Sequence, residues 1–102
     1  MTEHAVADVE DVPPGESIGV TVDGLGIAVF NVDGRFYAMQ NACQHKDGPM
    51  YRAHVDADSC SVYCPWHWWE WDLETGRSPV DPNKRMRIFD VEVVDGEVRV
   101  TV

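Results

Sequence analysis

Two short stretches hold the residues best suited to binding an inorganic centre: Cys43-Gln44-His45 and, after 18 intervening residues, Cys64-Pro65-Trp66-His67. Thiolate and imidazole are the side-chain ligands that soft and borderline metals prefer. The short spacing inside each pair keeps both ligands on a single turn. The long gap lets the second turn return on the opposite side of a shared centre. Two chemistries fit the donor set Cys43, His45, Cys64 and His67. A tetrahedral zinc ion would staple two loops together, whereas a two-iron centre capped by two thiolates and two imidazoles would carry electrons. Three cysteines, an odd count, fit a disulfide framework poorly and metal ligation in a reducing compartment better. The third, Cys60, lies four residues before Cys64 on the same expected strand face, roughly 13 Å away at 3.3 Å per residue. That is too far for a disulfide, so Cys60 reads as a small buried hydrophobe. His4 and His54 lack ligand-like neighbours and read as surface histidines.

The elements that must position these residues are strands. Val91, Val93, Val98 and Val100 alternate with Glu92, Val94, Glu97 and Arg99 around Asp95-Gly96, a pair suited to positive φ, which predicts a hairpin. A two-residue loop sets Val93 opposite Val98 and Val91 opposite Val100 on a buried side, with Glu92 facing Arg99 in water. Asp33-Gly34 separates Leu25–Val32 from Arg35–Gln40, and Asp23-Gly24 follows the apolar stretch Ile18–Val22, giving a three-stranded meander. Residues 41 to 82 hold all three cysteines, all four tryptophans and four of the six prolines, and read as an insertion between sheet strands. Within it Ser59–Tyr63 and Trp68–Leu73 are expected as short strands, the second closed by Glu74-Thr75-Gly76. The fold class is all-β, an antiparallel sandwich spanning 1–102 as one domain, with a small metal-binding subdomain at about 41–82.

Eighteen acidic against eight basic side chains give a formal net charge of −10. That charge repels phosphate backbones and anionic head groups, so the sequence argues against nucleic acid and membrane as partners. No apolar run approaches the roughly 20 residues of a membrane span, and a cytoplasmic protein is expected. The acidic excess is most simply a solvated face, which would also steer the chain toward a basic patch on a partner. Lys84, Arg85 and Arg87 form the one basic cluster in the sequence and are expected to edge a strand.

Through CQHKDGP at 43–49 and CPWHWWEWDLETG at 64–76 the chain resembles the Rieske iron–sulfur proteins. The resemblance extends over the surrounding strands and the segment Ser78-Pro79-Val80-Asp81-Pro82, which in that family folds over the cluster. It implies a 2Fe-2S cluster, with Cys43 and Cys64 on the inner iron and His45 and His67 on the outer, more exposed iron. Neutral imidazoles in place of two thiolates bring the oxidised centre from a formal charge of −2 to zero, so an electron is accepted more readily. The imidazoles also predict that electron uptake at alkaline pH is coupled to protonation; a potential flat across that range would contradict it. High-potential members pair a further cysteine in each loop, where this chain has Gly48 and Trp66. They also place hydroxyl donors where it has Trp69 and Trp71. A potential in the lower half of the Rieske range, roughly −150 to +300 mV, is therefore expected. One departure is Trp68, where the broad family commonly has glycine. Another is the slightly long gap before Cys64, assigned to a loop at Tyr51–Ser59.

The resemblance further implies a one-electron carrier, with no turnover of its own, that takes electrons from a flavoprotein NAD(P)H reductase and passes them to a terminal oxygenase. The small subunit of an assimilatory nitrite reductase, standing on a large subunit, is the alternative, and a zinc-stapled interaction module a third. Trp66, Trp68, Trp69 and Trp71 are expected mainly in the insertion's core. An exposed tryptophan rim that docks a redox partner is the functional alternative.

Overall fold

Each of the three Asp-Gly pairs turns the chain back on itself. In the computed structural model, Asp23, Asp33 and Asp95 stand at φ of 50°, 52° and 51°, and the glycines that follow are also positive. This is the paired left-handed conformation of a two-residue hairpin turn. The structure describes residues 2–43, 48–66, 68–81 and 83–102. Nine strands lie among them: β1 (Glu3–Asp8), β2 (Ser17–Val22), β3 (Leu25–Val32), β4 (Arg35–Gln40), β5 (His54–Asp56), β6 (Ser61–Tyr63), β7 (Glu70–Asp72), β8 (Ile88–Val94) and β9 (Glu97–Thr101). Six form an antiparallel sheet in the order β1-β9-β8-β4-β3-β2, and β5-β6-β7 form a second, smaller one. The fold is the expected all-β arrangement.

The larger sheet closes on itself. Val22, Ile27, Val29 and Ala38 from one half pack with Phe89, Val98 and Val100 from the other, and both outer strands contribute, Val6 from β1 and Ile18 and Val20 from β2. Those strands sit at opposite ends of the strand order, so the sheet must curl until its two halves face each other. His4 of β1 and Asp23 beyond β2 accordingly lie 3.5 Å apart, although His4 Nε2 makes no hydrogen bond. Strand β3 is buried on both faces. Ile27 and Val29 point into this core, while Ala28, Phe30 and Val32 point into a second one shared with the insertion. Its one polar interior residue, Asn31, donates to the Val12 carbonyl at 2.6 Å and accepts from the Gly34 N–H at 2.7 Å. A buried amide so satisfied costs little.

The C-terminal hairpin has the expected register, Val91 opposite Val100, Glu92 opposite Arg99 and Val93 opposite Val98. Two details differ. Val93 is 47% exposed, because β8 pairs with β4 only through Ile88 and Phe89 and then runs past the opposing layer. Arg99 bonds Glu97 at 2.8 Å and Glu3 at 3.2 Å, with no ion pair to Glu92. Strand β1, which the sequence did not announce, brings Glu3 alongside. Its register slips between Ala5 and Ala7, a bulge that breaks the period of two on which strand recognition rests.

The insertion is anchored at both ends. Asn41 donates its backbone N–H to the Gly26 carbonyl, and the Tyr51 side chain lies against Gly19, where a β-carbon would stand 3.1 Å from the ring. Ser17 Oγ donates to the Tyr51 carbonyl at 2.5 Å. On the far side Gly76, at φ +77°, accepts from the Met86 N–H at 2.7 Å. A β-carbon there would stand 2.2 Å from the Met86 carbonyl oxygen, so the turn at Glu74-Thr75-Gly76 requires glycine. The two expected strands of the insertion are present but shorter, as β6 and β7. The stretch assigned to a loop between Tyr51 and Ser59 contains β5, opposite β6. Lys84, Arg85 and Arg87 lead into β8, so they flank a strand as expected, though one paired on both sides rather than at the edge of the sheet.

Candidate metal centre

Cys43 and Cys64 occupy equivalent places in two loops. Cys43 follows β4, and its N–H donates to the Gly48 carbonyl at 2.9 Å; Cys64 follows β6, and its N–H donates to the Trp69 carbonyl at 2.9 Å. Each cysteine is thus the last paired residue at the base of a six-residue tip, 43–48 in one case and 64–69 in the other. Below the first tip, Ala42 bridges Pro49 and Met50 N–H donates to Asn41. Below the second, the bond continues the β6–β7 ladder beyond Tyr63 and Glu70. Both thiols are fully buried and free of disulfides. His45 and His67 fall by sequence inside the two tips and lie outside the described residues, as does Pro82 of the expected covering segment. Among the described residues no group of three or more His, Cys, Asp or Glu side chains converges.

The two loops touch through Gly48. A β-carbon on it would stand 2.7 Å from Cys64 Sγ and 3.5 Å from the Trp66 ring. The sulfur therefore has room only because the facing residue has no side chain. The same contact puts positions 48 and 66 side by side, where a glycine and a tryptophan preclude a disulfide between loops. Trp68 stands at φ +58° with its N–H on the Cys64 carbonyl at 2.9 Å. A left-handed backbone explains why glycine suits this position, and a tryptophan here holds strain of about 1–2 kcal/mol.

The four tryptophans divide. Trp71 is fully buried and Trp69 packs partly buried against the same core, their ring centroids 6.0 Å apart. Trp66 and Trp68 are 58% and 63% exposed, so the expectation of a mainly core role holds for two of the four. His54 is exposed, as expected, with its ring 6.3 Å from Trp68 and 6.4 Å from Tyr63. Cys60 differs from expectation. It sits in the turn before β6 at φ +52°, only half-buried, with its Sγ 3.9 Å from Glu74 Oε1. Strand geometry toward Cys64 does not reach that far back. The nearby Cys60 thiol, together with burial, holds the Tyr37 hydroxyl above its ordinary 10.0. Tyr63 is also raised, first by desolvation and then by Glu70 and Asp56.

The Rieske [2Fe-2S] domain model matches residues 2–95. The chain belongs to this family. Its cofactor is accordingly a 2Fe-2S cluster, and its role that of an electron-transfer component. It is 32% identical over 103 residues to the biphenyl dioxygenase ferredoxin subunit of Pseudomonas sp. (strain KKS102), covering 98% of this chain and 92% of that one. Among solved structures it is similar to the ferredoxin of carbazole 1,9a-dioxygenase from Nocardioides aromaticivorans IC177, with a TM-score of 0.91, 27% identity and 99% and 98% of the two chains covered. A carbazole 1,9a-dioxygenase ferredoxin in complex with its oxygenase matches at TM-score 0.86 and 29% identity, over 97% and 92% of the chains. The small subunit described as an NADH-dependent nitrite reductase from Mycobacterium tuberculosis matches at TM-score 0.90 and 23% identity, over 97% and 93%. That last likeness is one of fold.

The site suits a Rieske cluster. Two buried thiols at the bases of adjacent loops, with the facing position kept empty of a side chain, leave space where sulfur must meet iron. No helix of the described residues is long and apolar enough to cross a membrane.

Proposed function

We propose that this chain is a Rieske ferredoxin in which Cys43, His45, Cys64 and His67 hold the cluster, and that it passes single electrons from a flavin-dependent NAD(P)H reductase to a terminal oxygenase in the cytoplasm. The observation that carries this reading is the matched pair of cysteine-based loops, joined where Gly48 meets Cys64 Sγ. Cys43 and Cys64, both buried, are suited to the inner iron, and the two histidines, by their place in the tips, to the outer one. The cluster supplies a site that accepts and releases one electron near the protein surface. The chain's own residues keep water from the thiolates, through Met50, Val62, Trp71 and Met86 packed in the same core. The whole chain, 1–102, works as one domain, with 41–82 as its cluster-binding subdomain. Support for that division comes from the second core, where the insertion packs on one face of β3.

Membership in the small-subunit class of nitrite reductases is the second reading, favoured by the fold likeness alone. Stable co-purification with a much larger sirohaem protein would support it over a carrier that exchanges between partners. The test of the main proposal is an absorbance and EPR spectrum of the purified chain before and after dithionite, with iron, sulfide and zinc assayed on the same sample. A red-brown protein with two irons and two sulfides that bleaches and gives a rhombic signal is expected. Colourless protein with one zinc would overturn it in favour of an interaction module.

A further inference from the structure

The indole N–H of Trp71 is fully buried and, among the described residues, has no hydrogen-bond partner. Such a group costs stability unless something absent from the polypeptide accepts from it. The other two buried nitrogens in that condition, on His4 and Arg99, belong to the β1–β9 side of the sandwich. Trp71 instead lies in the core that contains both cysteines. No side chain in the fully buried part of that core carries an oxygen. The sulfurs in that core are the thioethers of Met39, Met50 and Met86 and the thiols of Cys43 and Cys64, and in the polypeptide alone none of them accepts from it. Only the cysteines become anionic on binding iron, and anionic acceptors make the stronger bonds.

The register places Trp71 within reach of them. Val62 pairs with Trp71, and the Cys64 N–H bond to Trp69 extends the same pairing by one position beyond Tyr63 and Glu70. Val62, Cys64, Trp69 and Trp71 therefore share one face, with Trp71 diagonal to Cys64. Diagonal neighbours in an antiparallel pair are about 7–8 Å apart, a span a long aromatic side chain bridges.

We propose that Trp71 Nε1–H donates a hydrogen bond to a sulfur of the cluster and its cysteine thiolates and so tunes the reduction potential upward. This inference rests on the proposed ligand set. Its physical basis is that a donor to sulfur stabilises the reduced, more negative state over the oxidised one. The expectation from sequence that position 71 lacks a donor holds for hydroxyls only; the indole brings its own.

The test is a redox titration of the wild-type chain and Trp71→Phe, with iron and sulfide counted in both. The variant is expected to keep two irons and two sulfides but to be reduced less readily, the reduced-to-oxidised ratio at a fixed potential falling about tenfold, equivalent to about 59 mV for one electron. An unchanged ratio with a full cluster would overturn the proposal and leave Trp71 a packing residue. A second measurement needs no substitution. Pulsed spectroscopy of the dithionite-reduced wild type, carrying nitrogen-15 in its indole rings alone, is expected to show an indole nitrogen weakly coupled to the cluster. No such coupling would overturn it. A wild-type chain that holds no iron would instead fail the ligand set on which the inference stands.

Discussion

The two loops that carry Cys43 and Cys64 close alike at their bases and are opposite in cargo. Each is closed by a cysteine N–H bonded to the carbonyl five residues on. The first ends in Gly48 and Pro49 and offers no bulk toward its partner, while the second presents Trp66, Trp68 and Trp69 within four residues. The first loop makes room, and the second covers and displays. The matching base hydrogen bonds fix where the cysteines stand, and the side chains then divide the remaining work between clearance and contact.

Filling the empty side should have the largest effect. Gly48→Ala puts a methyl group where Cys64 Sγ is only 2.7 Å away, and the sulfur, once bound to iron, cannot retreat. Iron per chain is expected to fall about tenfold or more with the strand content by circular dichroism unchanged; a full cluster in this variant would break the comparison. On the second loop, stripping the displayed rings should leave the cluster intact. Trp66→Ala and Trp68→Ala are each expected to slow electron transfer to the oxygenase about tenfold, the effect of losing an exposed aromatic anchor worth about 1.4 kcal/mol. Stopped-flow reoxidation checks this, and unaltered rates would assign the rings no role in docking.

A finer contrast comes from Trp68→Gly, which removes the ring but relaxes the left-handed backbone at φ +58°. A gain of about 1 kcal/mol in resistance to urea, alongside the same slowed transfer, would show that tryptophan stands there despite the fold rather than for it. The smallest effect concerns the protonation of Tyr37 and Tyr63. Both hold their protons more tightly folded than unfolded. Their contribution is complete below pH 10 and is lost as pH rises through the folded-state values. Tyr37→Phe is expected to flatten the alkaline fall in stability, measured by urea unfolding in steps above that pH.

Much of this was legible because local chemistry dictated it. Asp-Gly pairs demand left-handed residues, and all three hairpins follow at their expected places. The Cys/His spacing pointed to two loops, and the cysteines stand at the bases of two. What escaped was what tertiary context decides. Strand β1 is bulged at Val6 and only modestly apolar, so its pairing with β9 left no periodic trace. Strand β5 is three residues long and exists through its partner β6. Cys60 looked like a strand residue by its distance from Cys64, but the chain turns at it. The split of the tryptophans follows from the alternation that puts Trp69 and Trp71 inward, and from the tip geometry that releases Trp66 and Trp68. By sequence Gly48 shows only the absence of a cysteine. Its positive role, clearance for Cys64 Sγ, becomes visible only when both loops are side by side.

The central claim is that these two loops supply two thiolates and two imidazoles to one cluster. Pulsed electron spin resonance of the dithionite-reduced chain, with nitrogen couplings compared between wild type, His45→Cys and His67→Cys, tests it most directly. Two strongly coupled imidazole nitrogens in the wild type, each variant losing one, is the predicted result. A reduced 2Fe-2S signal with no directly coordinated nitrogen would contradict it.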